Sequence, residues 1–280
     1  MNELTSPLLY ESHMHTPLCK HAKGDPEEYA EVALQRGLKG IIVTCHNPLP
    51  DGLSQGVRMF PEQMGEYVDL VARAREAYAD RVDVRLGLEA DYMPGLESFL
   101  EQQLNSQDFH HVLGSVHPHI REYKEKYFSG DALEYQQKYF CHLADAAETG
   151  LFDTISHPDL VKNVFPDEWN LERVLPAILN ALDRIAATGV AMELNTSGLQ
   201  KAVAEMNPNS TMLREMNQRG IAVVIGADAH VPERVAADYE NAMDLLEAAG
   251  YSEIQFFLER KPQKVAIEDA RKSLTALAAI

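Results

Sequence analysis

Basic residues are scarce in this chain. Lys and Arg together number 25 against 43 Asp and Glu in 280 residues, a formal net charge of −18 at pH 7. So acidic a chain repels the phosphate backbone of nucleic acid. No Lys/Arg cluster offers a local basic groove, so no nucleic-acid partner is expected. Cysteine is sparse too: Cys19, Cys45 and Cys141 form no CxxC pair, which excludes a disulfide framework and points to a reducing, cytoplasmic setting. Aromatic residues are only 8% of the chain while 45% is hydrophobic, the balance of a soluble domain with an aliphatic core. No apolar run approaches the roughly 20 residues of a membrane span. The segment Met1-Asn2-Glu3-Leu4-Thr5 lacks the basic and apolar regions of a signal peptide, so no membrane association is expected. Pro/Ser-rich linkers, low-complexity stretches and internal repeats are also lacking. A single domain over residues 1–280 is therefore expected, and no oligomeric state is assigned.

Histidine, by contrast, is plentiful and unevenly placed. The stretch Glu11-Ser12-His13-Met14-His15-Thr16-Pro17-Leu18-Cys19-Lys20-His21 holds three histidines directly after the apolar run Pro7-Leu8-Leu9-Tyr10. If that run is a strand, side chains alternate with period two and His13 and His15 project to one side. Pro17 then breaks the strand and lets the chain turn His21 back toward them.

The remainder reads as strand followed by helix, seven times over. Expected strands cover 40–45, 82–88, 111–116, 152–156, 190–192 and 221–225, with a possible further strand at 254–257. Expected helices run from Asp25/Pro26 to Gly37, 61–79, 96–104, 131–149, 171–188, 208–219, 232–249 and 267–278. Several have a capping residue or Pro at the start and Gly at the stop. Regular alternation of this kind implies an α/β fold with parallel strands and helices packed outside, a barrel of about 250 residues being the common solution.

Polar, metal-capable residues follow almost every expected strand: His13 and His15, His46, Glu89, His117, His157, Glu193 with Asn195, then Asp228 and His230. Parallel barrel strands open all their C-terminal ends onto one face, where active sites are built. Six of the 11 histidines sit at strand ends and His21 lies just after one. His110, His111, His119 and His142 are read as surface or core residues. Imidazoles mixed with a few carboxylates favour zinc, iron or manganese over magnesium or calcium. More candidates than one site can use imply two or three divalent ions. A cluster of that kind suits hydrolysis of a phosphate ester.

These residues resemble the PHP (polymerase and histidinol phosphatase) family. The matching motifs are His13-Met14-His15, His21, Cys45-His46, Gly87-Leu88-Glu89, Gly114-Ser115-Val116-His117, Ser156-His157-Pro158-Asp159 and Gly226-Ala227-Asp228-Ala229-His230. The histidinol-phosphatase branch is resembled in Thr16–Ala22, His46–Pro50, Gly87–Tyr92 and Glu193–Gly198. The resemblance implies a distorted seven-stranded (β/α)7 TIM-like barrel with a trinuclear metal centre. Carried over, His13, His15, Glu89 and Asp228 would hold one metal. Glu89, His117 and His157 would hold a second, and His21, His46 and His230 a third. A hydroxide bridging the first two metals would attack phosphorus. The reaction implied is L-histidinol phosphate plus water giving L-histidinol and phosphate, in histidine biosynthesis.

Three departures from the family pattern stand out: Glu11 and Cys45 where Asp is usual, and no arginine in the segments that would grip the phosphate. Lys162, Gln200 and Lys201 stand there instead. Lys162, Lys201 and Asn195 are accordingly the candidate substrate-binding residues, with Asp228 a candidate general acid. Tyr92 and Phe165 could cover the rest of the substrate. Alternatives are a phosphoesterase for a nucleotide or sugar phosphate, and a metal-binding module without catalysis.

Overall fold

A computed structural model describes residues 8–274. The strands are β1 (Tyr10–Glu11), β2 (Gly40–Val43), β3 (Asp83–Asp91), β4 (His111–Ser115), β5 (Thr154–Ile155), β6 (Ala191–Asn195), β7 (Val223–Gly226), β8 (Glu253–Leu258) and β9 (Lys261–Ala266). The helices are α1 (Pro26–Gln35), α2 (Met64–Tyr78), α3 (Glu97–Leu104), α4 (Arg121–Tyr127), α5 (Ala132–Glu148), α6 (Leu171–Thr188), α7 (Ser210–Gln218), α8 (Tyr239–Ala248) and α9 (Ile267–Ser273). Strands lie side by side in chain order, and β1 to β8 pair in parallel. The β2 run Gly-Ile-Ile-Val is buried throughout, as a parallel strand covered on both faces must be.

The ring closes above β1 and β7 rather than along them. His15 N donates to Ala229 O at 2.9 Å and Ala229 N to His13 O at 2.9 Å, a parallel bridge centred on Met14 and Ala229. The result is the expected distorted α/β barrel, its seven strands β1–β7 followed by a hairpin. The β8–β9 hairpin works at the opposite end. β8 follows β7, yet its tip binds under β4 and β5: Arg260 N donates to His110 O (3.0 Å), and the guanidinium meets Asp153 (2.6 Å) and Leu151 O (2.7 Å). Phe256 stacks on Tyr10 and Phe257 on His111, with ring centroids 4.7 and 4.9 Å apart. Apolar side chains thus plug the N-terminal end and leave the C-terminal end for polar work.

Local sequence accounts for most helix limits. Pro26 occupies the first position of α1, and the Glu28 carboxylate accepts the Asp25 N–H at 2.7 Å. Asn170 caps α6, and Gly189 ends it in the left-handed conformation at φ 76°. Two expectations need correction, and two segments go untested. α4 has no counterpart among the expected helices; it buries a single residue, Tyr123, and so has little apolar periodicity. The helix expected from 232 begins only at Tyr239, because the Ala236 N–H is drawn onto Glu11 (3.0 Å) and Ala236 and Asp238 take φ of 50° and 63°. Pro7 of the first expected strand and the end of the last expected helix lie outside the described residues; α9 itself spans Ile267–Ser273. No described helix is long and apolar enough to cross a membrane.

Candidate metal centre

The strand ends bring His13, His15, His21, His46, Glu89, His117, His157, Asp228 and His230 into one cup, with Glu89 at its middle. Glu89 Oε1 lies 3.5 Å from His13 Nε2, 3.4 Å from His117 Nε2 and 3.0 Å from His157 Nε2. Its Oε2 lies 3.5 Å from His15 Nε2 and 2.7 Å from His46 Nδ1. Asp228 Oδ1 lies 3.6 Å from His13 Nε2 and 3.1 Å from His15 Nε2. Ligands bound at about 2.1 Å in a tetrahedron are separated by about 3.4 Å, and most of these spacings scatter around that edge length.

The hydrogen-bond inventory tells the same story. His13 Nε2, His46 Nδ1 and Glu89 Oε2 are buried without a hydrogen-bond partner. Buried polar groups in proteins are mostly paired, so a set of unpartnered atoms facing one cup has the character of metal donors. On four rings the far side is, by contrast, held, while Nδ1 of His15 and of His157 is buried without a partner. His13 Nδ1 meets Glu193 Oε1 at 2.6 Å, His117 Nδ1 meets Asp91 Oδ1 at 2.7 Å, and His21 Nδ1 and His230 Nδ1 meet the carbonyls of Cys19 (2.7 Å) and Asp228 (3.0 Å). A ring N–H directed to a carboxylate or carbonyl leaves the other nitrogen's lone pair facing the cup, the outer arrangement of metal-binding histidines. Within the triples His21/His46/His230 and His13/His15/Asp228, the donor atoms all lie within 4.8 Å of one another. The donor set therefore fits divalent cations.

Electrostatics agree with the geometry. Burial opposes the charged form of every group here, yet Glu193, Asp228 and Glu89 together raise His13 well above the ordinary histidine range. His15 is likewise raised to about 9, burial being outweighed by Asp228, Cys45 and Glu89. Burial also opposes ionisation of Glu89, but His46, His13 and His117 hold it well below the carboxylate range. His46 is pushed down to about 4, chiefly by burial. A cup of ionised carboxylates and imidazoles that attract protons demands positive charge, which metal ions supply when bound.

Close packing sets these positions. A Cβ on Gly226 would collide with the Glu193 carboxylate and lie 2.8 Å from His13 Cβ, so glycine is required there. His157 and Asp228 take positive φ of 27° and 50°, conformations that cost energy outside glycine and concentrate at functional sites. Glu11, the first departure from the family pattern, turns no imidazole. Its carboxylate accepts the backbone N–H groups of His13 (2.9 Å), Ala227 (3.1 Å) and Ala236 (3.0 Å), tying β1 to the loop after β7. Cys45 is buried, and its Sγ accepts from Thr16 N (3.4 Å) and Thr16 Oγ1 (3.2 Å).

The candidate substrate residues fare differently from one another. Lys162 is fully buried, and Nζ donates to Asp159 Oδ2 (3.1 Å), Glu205 Oε1 (3.2 Å) and Met206 O (3.0 Å). Three donors with three acceptors leave none for a phosphate, so the expectation for Lys162 is corrected. Asn195 is also buried: Nδ2 donates to Glu193 Oε2 (3.0 Å) and Oδ1 accepts from Ser197 N (3.0 Å), which makes it a support for Glu193 instead of a substrate contact. Lys201 stands at the mouth, with Nζ 3.8 Å from Asp228 Oδ2 and 28% of its side chain exposed. Asp228 does not suit a resting proton donor. Burial pushes its pKa up, but His13, His15, His230 and Lys201 hold the carboxyl well below the usual range.

Sequence reasoning passes over three supports. Asp91 lies two residues beyond Glu89 on β3, hence on the same face, a signal the period of a strand could have given. Ser115 Oγ donates to Glu89 Oε1 at 2.7 Å. Arg58, from the irregular segment between β2 and α2, is buried against Asp91, and nothing in its surroundings in the chain marks it.

Known proteins resemble this chain in sequence and fold. A protein of Deinococcus radiodurans named "Probable histidinol-phosphatase" is 38% identical over 258 residues, covering 89% of this chain and 96% of the relative. The histidinol-phosphatase of Bacillus subtilis is 27% identical, covering 82% of this chain and 96% of its own. Among solved structures, the histidinol phosphate phosphatase of Lactococcus lactis, complexed with zinc, L-histidinol and phosphate, superposes with a TM-score of 0.77 at 20% identity. That match covers 91% of this chain and 98% of the other, and it shows the shared fold. The PHP domain family model matches residues 11–197, more than half the chain, and with the Deinococcus likeness it establishes that this chain belongs to the PHP domain family.

Proposed function

We propose that this chain is a metal-dependent phosphomonoesterase that hydrolyses L-histidinol phosphate to L-histidinol and phosphate. The observation that carries the hydrolase reading is the convergence of imidazole nitrogens on Glu89 and Asp228, with the outer ring nitrogens of His13, His117, His21 and His230 already bonded. The substrate is supported by the relatives' names and by the ligands of the Lactococcus structure.

His13, His15, Glu89 and Asp228 would hold one metal ion. Glu89, His117 and His157 would hold a second, and His21, His46 and His230 a third. Zinc is supported by the Lactococcus complex, with iron and manganese compatible with the same donors. When bound, such ions acidify water and neutralise phosphoryl oxygens. The protein's own part is positional. Glu193 and Asp91 fix the ring planes of His13 and His117 through Nδ1. Lys201, part-exposed beside Asp228, would neutralise an incoming phosphate as a point charge without a bidentate fork. In the net reaction, water oxygen bonds to phosphorus, the ester P–O bond breaks, and the departing alkoxide takes up the proton that the water gives up.

The test is phosphate release from L-histidinol phosphate by purified protein, beside nucleotide, sugar and aryl phosphates, before and after chelation. Selective, chelator-sensitive release from histidinol phosphate is expected. Equal release across the panel would overturn the substrate, and no release with metals restored would overturn the reaction.

A further inference from the structure

Arg58 lies between β2 and α2, outside every motif that pointed to the cup, yet it is 1% exposed and heads the fully buried side chains by volume. A guanidinium withdrawn from water is costly unless it is paired. Here its donors join two segments that carry cup residues. Nη1 donates to Asn47 O at 2.9 Å and lies 3.4 Å from Asn47 Oδ1. Nη2 donates to Asp91 Oδ2. Asn47 directly follows His46, and Asp91 follows Glu89 on the same face of β3. The two are also joined directly, since Asp91 N donates to Asn47 Oδ1 at 3.0 Å. The remaining oxygen of Asp91, Oδ1, takes the Nδ1–H of His117 at 2.7 Å. One cation thus fastens the ends of β2 and β3 and, through Asp91, the imidazole at the end of β4.

We propose that Arg58 is a positioning residue of the metal centre: its guanidinium fixes the Asp91 carboxylate so that His117 presents Nε2 to Glu89, and it thereby sets metal affinity at the Glu89–His117–His157 corner. The inference rests on the metal-dependent reading of the cup and is independent of the substrate. A fork is suited to this task where a point charge is not, because two nitrogens must meet Asn47 and Asp91 at once. Under His13 the corresponding carboxylate, Glu193, is held by the neutral donors His157 N (2.8 Å) and Asn195 Nδ2 (3.0 Å).

The experiment strips the full chain with a chelator and titrates it with zinc alone, following heat and competition with a chromophoric chelator, in wild type, Arg58→Met and Arg58→Lys. In Arg58→Met one zinc equivalent should weaken by about 10-fold, the lower end for loss of an outer partner of a ligand because Arg58 acts through Asp91, while the other equivalents stay put. Arg58→Lys, which keeps charge but not the fork, should fall between. Unchanged zinc binding overturns the proposal, as does parallel weakening of every equivalent with lowered thermal stability, since that is a purely structural role. If Arg58→Met does not fold, Arg58→Lys decides: selective weakening of one equivalent supports the proposal, and unchanged binding overturns it. Wild-type protein that binds zinc but releases nothing from histidinol phosphate would overturn the substrate reading and leave this titration readable.

Discussion

The Nε2 atoms of His21 and His230 face each other at 2.9 Å, while each ring's Nδ1 meets a backbone carbonyl. A carbonyl can only accept, so both Nδ1 atoms carry the hydrogen. Burial pushes His230 down to about 3, so its ring is neutral at pH 7 and its Nε2 bears a lone pair. The two Nε2 atoms thus face one another across a gap in which a cation would find a donor on each side. His230→Ala should therefore cost one metal equivalent and lower kcat/KM by about 100-fold or more, the upper end of effects seen even for outer partners. Metal analysis beside steady-state kinetics checks this, and a variant with full metal and full activity would remove His230 from the centre.

Glu193 makes a second case. Its Oε1 takes the His13 Nδ1–H and its Oε2 the His157 N–H, so one carboxylate serves two cup residues on different strands. Glu193→Gln keeps the shape but puts an amide donor against one of those hydrogens. Metal affinity or activity should fall by about 10–100-fold, with the fold unchanged by circular dichroism. A variant as active as wild type would show that the charge on Glu193 is dispensable.

The two lysines considered for phosphate binding should separate cleanly. Lys162→Met removes the counter-charge of Asp159, which keeps donors from Asn207 Nδ2, Asn209 N and Asn209 Nδ2, and should destabilise the fold by about 3 kcal/mol, the lower end for breaking a buried ion pair. Lys201→Met, at the mouth, should change stability by less than about 0.5 kcal/mol but raise KM for phosphate esters. Denaturant melts and initial rates on the two variants give the answer. Lowered stability in Lys201→Met with KM unaltered would reverse the assignment.

Which features are legible in the sequence follows from what each depends on. The barrel and the nine cup residues are legible because parallel strands put their C-terminal ends on one face, so position along the chain translates directly into position in space. The role of Glu193 is ambiguous in the sequence, since a carboxylate at a strand end can serve a metal or a hydrogen bond equally well. Lys162 misleads because its burial depends on Glu205 and Met206, more than 40 residues onward and invisible to local pattern. Arg58 sits in an irregular segment with no period to report which way a side chain points. The delayed start of α8 likewise depends on a contact with Glu11 at the other end of the chain.

Acid should weaken the fold through a histidine at the plugged end of the barrel, opposite the cup. His111 is buried between Thr154, whose Oγ1 lies 2.8 Å from Nε2, and the ring of Phe257. Burial, with Arg260 and His13 adding to it, lowers its pKa from 6.5 to about 3. The folded state thus binds this proton less readily than the unfolded chain does. Its contribution to stability is fully present above pH 6.5 and is lost progressively as pH falls toward 3. His111→Gln keeps a polar group near Thr154 but cannot take up the proton, so its stability should fall less steeply across that window even if it starts lower. Urea melts of the two proteins at a series of pH values between about 7 and about 4, in metal-free buffer so that the cup is in the same state in both, measure the slopes. Identical slopes would mean that His111 is not the group through which acid acts.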